Sequence, residues 1–396
     1  MLSRKYLCEV RCGKAQGFND KASRTFATNL RDSTSKLLKN DFRYHSRRSE
    51  ESLFDQNAAR RNPSPETKEQ VALETVACNL CGSRRYTTVY EMPDVRLFPN
   101  EYFTVVECAE CGLGFVNPRP DRKEIQKYYP WDYYQNEASP GFVRYLRKRF
   151  TQQARYLKKL EERPGPRKLL DVGCFNGEFP RFMAARGWDV SGVEISEVSA
   201  RITDFPVFRQ ELNEIPICEP TYDAITAWAV LEHVHDPMAY FHKASQVLKK
   251  GGLFVFQTPN FVSTASRRLF WEDVPRHLYF YKRENVAQYL EKSGLILQRE
   301  DNRGNVYKCS PAGWLPYVIR TLLQGKPFAY TDKPLSSKEF RKKRHLQRGI
   351  AADLKYLAYS PLSVVDRMFW PALEAVQILR KTYGSSTYVA RKRAAA

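Results

Sequence analysis

The chain has 396 residues, of which 42% are hydrophobic and 13% aromatic, so it has room for two or three folded domains. No run of eighteen uncharged apolar residues occurs, and no apolar stretch follows the basic residues at the start, which argues against a membrane-spanning helix and a secretory signal. Nine cysteines are too sparse for a disulfide framework. The net charge of +20 is uneven, because residues 301–396 carry +12 whereas residues 161–300 carry −2. Positive charge therefore marks the flanking regions, where it could serve RNA, an anionic membrane surface or solubility.

Residues 1–70 are polar and show no sustained apolar period. A segment of this composition cannot bury enough apolar surface to offset the entropy lost on folding. We therefore expect a disordered basic leader. Its arginine and serine content is similar to that of a transit peptide, but its acidic residues weaken that interpretation.

Two C-x-x-C pairs follow the leader, Cys78 with Cys81 and Cys108 with Cys111. Glycine follows the second cysteine of each pair, which suits a tight turn that aims backbone N–H groups at sulfur. Four thiolates at this spacing can complete a tetrahedral zinc site that has no open position for catalysis. The sequence therefore predicts a structural zinc module over residues 76–125, with four reduced thiols or two disulfides as the alternatives.

Residues 126–165 combine the aromatic run YYPWDYY with a basic helical pattern that ends at the turn-rich RPGPRK. We expect a helical connector here. Tyr133 and Tyr134 are candidates to contact a cationic ligand through their ring faces. The alternative is ordinary packing between domains.

From residue 166, short apolar runs alternate with amphipathic helical patterns. This alternation predicts an α/β fold over residues 166–310, with a parallel sheet covered by helices on both faces. Such sheets bind ligands outside the carboxyl ends of their strands. Residues 260–282 interrupt the pattern and are expected to cap that edge. Residues 311–396 are predicted to form a basic helical extension, with amphipathic helices at 311–325 and 356–381.

The run from Leu169 to Glu178 reads as a strand, a turn with Gly173 and Gly177, and a helix start. Glycines let a ligand approach the backbone, and the helix start supplies free N–H groups. Glu194 follows the next strand, where it could accept both hydroxyls of a ribose. Asp171, Glu194, Glu211 and Glu232 would share one sheet edge, which disfavours a pyrophosphate and favours a cationic sulfonium. The pattern therefore suits S-adenosylmethionine better than a nicotinamide dinucleotide.

Five motifs occur in an order that resembles the class I S-adenosylmethionine-dependent methyltransferases: LLDVGCFNGEF, VSGVEIS, YDAITAWAVLEHVHDP, LKKGGLFVFQTPN and PRHLYFYKRENVAQYLEKSG. More narrowly, the chain is similar over residues 76–305 to bacterial members with an N-terminal Cys₄ zinc module, including sugar C-methyltransferases. The resemblance implies a Rossmann-like sheet of seven mostly parallel strands, and a lid over the cofactor formed by the aromatic connector at residues 126–165. It also implies that the cofactor contacts Asp171, Gly173, Cys174, Gly177, Glu194, Ile195, Glu211, Leu212, Trp228 and Ala229. Phe175 departs from the family pattern, which has a second glycine there, so its side chain must turn away from the cofactor.

Methyl transfer needs a positioned acceptor and a base to take its proton. His233 is one candidate, because it would lie just after the fourth strand, beside the methyl group. His277 is the other, since it matches a family position that faces the active site. For each, a histidine that is merely packed or bonded to the backbone is the alternative.

The resemblance implies a sugar or nucleotide-sugar acceptor and a cytoplasmic enzyme. A second hypothesis is a lipid-linked or quinone acceptor, with the basic C-terminal helices in contact with a membrane surface. A third is an RNA methyltransferase or a non-catalytic RNA-binding protein. The near-neutral middle of the chain argues against nucleic acid as a partner.

Overall fold

The computed structural model describes residues 72–94, 97–98, 100–129, 140–196, 202–263, 273–302, 365, 368–369, 371–372 and 374–393, with the backbone alone for 140–145. All of them belong to one unit, residues 71–396. The predictions for residues 1–70, for Tyr133 and Tyr134 and for the helix at 311–325 lie outside the described residues.

A seven-stranded sheet forms the centre of this unit, with the strand order β12-β13-β10-β9-β6-β7-β8. Five neighbouring strands are parallel, and β13 runs antiparallel to both β10 and β12. The predicted seven-stranded, mostly parallel sheet is thus confirmed. Its strands are β6 (Arg167–Val172), β7 (Trp188–Val193), β8 (Val207–Phe208), β9 (Tyr222–Trp228), β10 (Leu248–Pro259), β12 (Leu295–Asp301) and β13 (Ser385–Lys392).

Helices connect and cover these strands. The α-helices are α1 (Pro140–Arg155), α2 (Lys158–Glu161), α3 (Glu178–Ala184), α4 (Pro237–Val247) and α5 (Arg283–Lys292), and short 3₁₀ helices lie at Glu124–Tyr128 and Leu212–Glu214. The start of α4 follows from its sequence, because Asp236 caps it by accepting from the backbone N–H of Ala239 at 3.1 Å. Pro237 at the first helical position has no N–H to leave unpaired. No helix in the described part of the chain is long and apolar enough to cross a membrane.

The cysteine pairs belong to a smaller antiparallel sheet of four strands in the order β11-β4-β3-β2. Its strands are β2 (Tyr86–Pro93), β3 (Tyr102–Cys108), β4 (Gly114–Val116) and β11 (Tyr279–Phe280), and a further two-stranded ribbon joins β1 (Leu73–Glu74) to β5 (Arg119–Pro120). The edge strand β11 comes from residues predicted to cap the large sheet. It pairs with β4 through Tyr279 opposite Phe115 and Phe280 opposite Gly114.

Two apolar cores cover the two faces of the large sheet. One core is continuous from the cysteine-bearing sheet to α4 and α5, and joins Val105 and Phe115 to Phe241 and Tyr289. The other packs α1 and α3 against the opposite face, where Phe150 contacts Phe179. Because both faces are covered, β9 and β10 are buried along most of their length, as parallel strands require.

Two predicted boundaries differ from the structure. The cysteine-bearing region is not a separate module, because it takes β11 from the later chain and shares a core with the large sheet. The segment 311–396 is not purely a helical extension, because β13 inserts between β10 and β12. Helix is present in the described residues between 365 and 379, within the predicted 356–381.

Candidate active site at the carboxyl edge of the sheet

The turn after β6 lies against the end of β7. Glu194 follows β7, and its two carboxylate oxygens accept from the backbone N–H groups of Phe175 at 2.9 Å and Ser196 at 2.8 Å. The backbone N–H groups of Gly173 and Cys174 donate to the carbonyl of Val193 at 2.8 and 3.2 Å. These bonds fix the turn relative to the Glu194 carboxylate. The contact of Glu194 with a ribose stays a prediction.

Both glycines of this turn have left-handed backbone conformations. Gly173 has φ +71° and Gly177 has φ +81°. A Cβ on Gly173 would lie 2.5 Å from Cγ2 of Val230, so neither the backbone angle nor the available space accepts a side chain. Phe175, where the resembled family has glycine, also has a positive φ of 52°. The left-handed backbone at Phe175 explains why the resembled family has glycine at this position.

Asp171 lies at the end of β6 and is buried. Its carboxylate accepts from the hydroxyl of Thr226 on β9 at 2.6 Å. The pKa of Asp171 is raised to about 7, mainly because burial disfavours its charged form. The Glu194 charge adds to this rise, whereas the hydrogen bond from Thr226 and the charge of Arg149 oppose it. The Asp171 carboxyl therefore binds across two strands and has little surface for a ligand.

The other predicted cofactor residues divide into accessible and packed groups. Ile195 is 69% exposed beside Glu194, and Glu211 forms an ion pair with Arg122. Ala229 has a positive φ of 57° just after β9. In contrast, Leu212 is buried, Cys174 packs against Gly192, and Trp228 packs against Phe179 and Tyr156. The side chains of Cys174 and Trp228 thus lie in the core. At these two positions the backbone, and not the side chain, is available to a ligand.

His233 and His277, the two candidate bases, lie next to each other. Their rings are edge to face with centroids 4.7 Å apart. Together with Glu232 they bring one ligand atom each within 4.8 Å of one another, a grouping that could relay protons or hold a divalent cation. The loop after β9 supplies Glu232 and His233, and the loop before β11 supplies His277.

The hydrogen bonds of His233 define its tautomer. Its Nδ1 lies 3.0 Å from the carbonyl oxygen of Arg276 and 2.9 Å from the hydroxyl of Tyr129. Because a carbonyl only accepts, Nδ1 carries the proton, and Nε2 is left with a free electron pair. Burial, and then the neighbouring His277, lower the pKa of His233 to about 3, so the imidazole is neutral at physiological pH.

A buried ion cluster positions this histidine pair. The guanidinium of Arg276, fully buried, contacts Asp94 at 2.7 Å and Asp273 at 2.7 Å, and it also donates to the carbonyl of Tyr128 at 3.3 Å. Asp94 follows β2 of the cysteine-bearing sheet. Sequence reasoning missed Arg276, Asp94 and the role of Tyr129, because 182 residues separate the ion-pair partners and no local pattern links them.

The four cysteines form one cluster. Their sulfur atoms lie within 4.8 Å of one another, with Cys78 3.5 Å from Cys111 and Cys81 3.5 Å from Cys108. A disulfide requires a sulfur separation near ~2.05 Å. Tetrahedral zinc, with Zn–S bonds of about 2.3 Å, needs sulfur separations a little under ~4 Å. The sulfur of Cys111, 3.5 Å away, lowers the pKa of the Cys78 thiol, which favours the thiolate that a metal binds.

The first cysteine pair also contacts the helix that follows the histidine loop. Asn79 donates to the Asp236 carboxylate at 2.9 Å and accepts from the Met238 backbone N–H at 3.0 Å and the Tyr289 hydroxyl at 3.0 Å. Lys292 donates to the carbonyl of Leu80 at 2.6 Å. The loop between Cys78 and Cys81 is therefore bonded to the start of α4 and to the last turns of α5.

Comparison with known proteins identifies the domain that carries this edge. Residues 145–299 match a family model described as a methyltransferase domain. Proteins named ubiquinone biosynthesis O-methyltransferase are similar to part of the chain. That of Alkalilimnicola ehrlichii is 33% identical over 104 residues, which are 24% of this chain and 42% of the relative. That of Azoarcus sp. is 28% identical over 151 residues, which are 33% of this chain and 65% of the relative. The match thus spans about half the length of these relatives.

Similarity to solved structures is weaker. A SAM-dependent methyltransferase from Archaeoglobus fulgidus has 18% sequence identity and a TM-score of 0.38, covering 64% of this chain and all of that protein. The residues that match the methyltransferase-domain model, 145–299, carry most of the seven-stranded, mostly parallel sheet.

Proposed function

We propose that this protein transfers a methyl group from S-adenosylmethionine to a hydroxyl of a lipid-soluble, quinone-class acceptor. The observation that carries the proposal is the neutral His233 imidazole at the same sheet edge as the Glu194 turn. The methyltransferase domain at residues 145–299 supports the reaction class. The names of the relatives support the oxygen acceptor.

The residues of the carboxyl edge fit the cofactor. The Glu194 carboxylate follows β7 beside the glycine turn and accepts from backbone N–H groups of Phe175 and Ser196. A carboxylate at the carboxyl end of this strand is the kind of acceptor that the two hydroxyls of a ribose bind. The exposed Ile195 beside it offers an apolar surface to an adenine ring. The carboxylates of Glu194, Glu211 and Glu232 favour a cation. When bound, S-adenosylmethionine supplies a methyl group activated by its sulfonium.

His233 performs the proton step. Nε2 of His233 would take the proton of the acceptor hydroxyl, and the bound cofactor would supply the methyl group that replaces it. The Arg276 carbonyl and Tyr129 hydroxyl hold the other nitrogen, so the ring orientation is set before the acceptor arrives. A phenolate beside the ring would raise the low pKa of His233 by charge attraction and so favour the proton transfer.

The quinone-class acceptor replaces the sugar as the favoured substrate. The sugar hypothesis depends on resemblance to zinc-bearing sugar C-methyltransferases, whereas the relatives found by comparison are named for ubiquinone biosynthesis. The RNA alternative stays a prediction, as does the cytoplasmic location.

We also propose that the four cysteines hold a structural zinc ion. Sulfur separations of 3.5 Å fit a tetrahedral site better than disulfides. All four coordination positions are taken by cysteine, so the ion would have no open position for substrate. Its role would be to stabilise the fold of the cysteine-bearing region.

The test of the proposed base compares three histidine variants. His233→Gln removes the free electron pair at Nε2, so turnover with a quinol acceptor is expected to fall by a factor of ~10²–10⁴. The affinity for S-adenosylmethionine, measured by calorimetry, is expected to stay unchanged. His242→Gln on the exposed face of α4 is the matched control and is expected to retain activity. Unchanged turnover in both His233→Gln and His277→Gln would contradict the assignment.

A further inference from the structure

The helical residues between 365 and 379 carry an exposed apolar stripe. Its members recur at the spacing of one helix face and are Val365, Met368, Phe369, Val376 and Leu379. Met368 is 73% exposed, Phe369 62% and Leu379 82%. Contiguous exposed side chains of this size on one face mark an interaction surface, whereas single exposed apolar residues do not.

The segment of the sequence that contains the stripe is strongly basic. Residues 303–384, which lie between β12 and β13 in the chain, contain fifteen lysines and arginines but five acidic residues. Arg380 and Lys381, both exposed, follow the last residue of the stripe. An amphipathic helix with a large apolar face and basic neighbours has the chemistry that binds the surface of an anionic bilayer.

The end of this helix is fixed at the edge of the sheet that carries the candidate active site. The side-chain amide of Asn260, just after β10, donates to the carbonyl of Lys381 at 2.9 Å and of Tyr383 at 3.0 Å. The backbone N–H of Asn260 donates to the carbonyl of Gly384 at 3.0 Å. Because β10 is parallel to β9, its carboxyl end lies on the same edge as Ala229 and His233.

We propose that the 365–379 helix lies on the surface of an anionic phospholipid bilayer and brings the carboxyl edge of the sheet to it. The apolar stripe would enter the boundary between head groups and acyl chains, and the basic residues would contact lipid phosphates. A lipid-soluble acceptor could then reach the site from the membrane. The access to that acceptor rests on the proposed function, whereas the binding to lipid does not.

The experiment is vesicle flotation of the full chain without cofactor. Wild type is expected to float with phosphatidylcholine vesicles that contain phosphatidylglycerol, to float less at high salt, and to stay unbound with phosphatidylcholine alone. The double variant F369S/L379S is expected to lose at least ~10-fold in binding, because two of the most exposed stripe residues become polar. The double variant L73S/I296S, which changes two exposed apolar residues elsewhere, is the matched control and should bind like wild type.

Three outcomes would overturn the proposal. Wild type could fail to float at low salt, both double variants could lose binding equally, or sedimentation could show a dimer that dissociates in F369S/L379S, which would assign the stripe to a second copy of the chain.

A separate assay with a water-soluble quinol distinguishes this proposal from the methyl-transfer proposal. Wild type and F369S/L379S should turn over that quinol equally, and absence of turnover in both would sink the methyl-transfer proposal while leaving the flotation result intact.

Discussion

Backbone strain at the residue scale is concentrated at the candidate active site. Phe175 and Ala229 have φ values of 52° and 57°, a region that residues other than glycine seldom adopt. Both follow strands of the large sheet, and Phe175 donates its backbone N–H to Glu194. Strained positions of this kind persist where the surrounding structure holds them, as it does around a ligand site.

Asp171 makes stability depend on pH in a specific direction. Its folded-state pKa of about 7 lies above the value of ~3.9 expected in the unfolded chain, so the folded state binds the proton more tightly. The stabilisation is fully present below pH ~4 and is lost as the pH rises to ~7. Asp171→Asn keeps an acceptor for Thr226, and it should therefore gain stability relative to wild type over that interval, by up to ~4 kcal/mol.

Urea unfolding of both proteins between pH 4 and pH 8 measures this difference. Asp189→Asn, on the exposed side of β7, controls for the loss of a carboxylate. A difference between Asp171→Asn and wild type that does not change with pH would contradict the assigned pKa.

Gly173 is required by two separate constraints. Gly173→Ala should destabilise the fold because of the left-handed backbone and also because the new Cβ would meet Val230 at 2.5 Å. Gly251 has the same φ of +71° with nothing within 4 Å, so Gly251→Ala should show the backbone cost alone. We expect Gly173→Ala to lower the free energy of unfolding by about 1–3 kcal/mol more than Gly251→Ala does. If chemical denaturation gave equal losses of unfolding free energy for the two variants, the Val230 side chain would move aside without cost, and the steric constraint would be contradicted.

At the scale of elements, the first cysteine pair holds the helix that follows the histidine loop. Asn79→Ala leaves the Met238 N–H and the Tyr289 hydroxyl without their acceptor, which should cost about 1–3 kcal/mol in stability. Because α4 begins four residues after His233, we also expect kcat to fall more than the affinity for S-adenosylmethionine. Asn213→Ala is the control, since its half-buried Oδ1 accepts no hydrogen bond within the described structure. Equal stability of the two variants in thermal unfolding would contradict the role of Asn79.

The elements that could be predicted from the sequence are those with a local signal. The apolar runs of β6, β7, β9 and β10 and the glycine turn after β6 are local patterns, and so are the cysteine pairs. The position of β13 was not predictable, because its partner β12 lies more than eighty residues earlier in the chain. The Arg276–Asp94 ion pair is equally nonlocal. The burial of the Trp228 side chain depends on which face of β9 it occupies, and the motif alone does not give that face.

At the scale of the whole molecule, the cysteine-bearing sheet and the large sheet form one core. Loss of the proposed zinc ion should therefore affect the entire unit instead of a detached module. We expect about one zinc ion per chain and a fall in Tm on chelation that is accompanied by loss of S-adenosylmethionine binding. Cys81→Ser should reproduce both effects, whereas Cys218→Ser, outside the cluster, should not. Metal analysis that finds no zinc while all four thiols titrate freely would contradict the site.

Both sheets also meet at the histidine pair. Arg276 ties the loop of His277 to Asp94 of the cysteine-bearing sheet, and its carbonyl accepts from His233 of the large sheet. The proposed base is therefore positioned by contacts from both sheets, and the proposed cofactor site lies on the same edge of the large sheet.

Transfer of labelled methyl from S-adenosylmethionine to a fractionated cell extract tests the central claim most directly, with Glu194→Ala as the blank. The proposed function predicts label in the organic-soluble fraction with wild type and a loss of that label with Glu194→Ala. Label confined to water-soluble or glycan material would contradict the quinone-class acceptor. No label in any fraction would contradict methyl transfer itself.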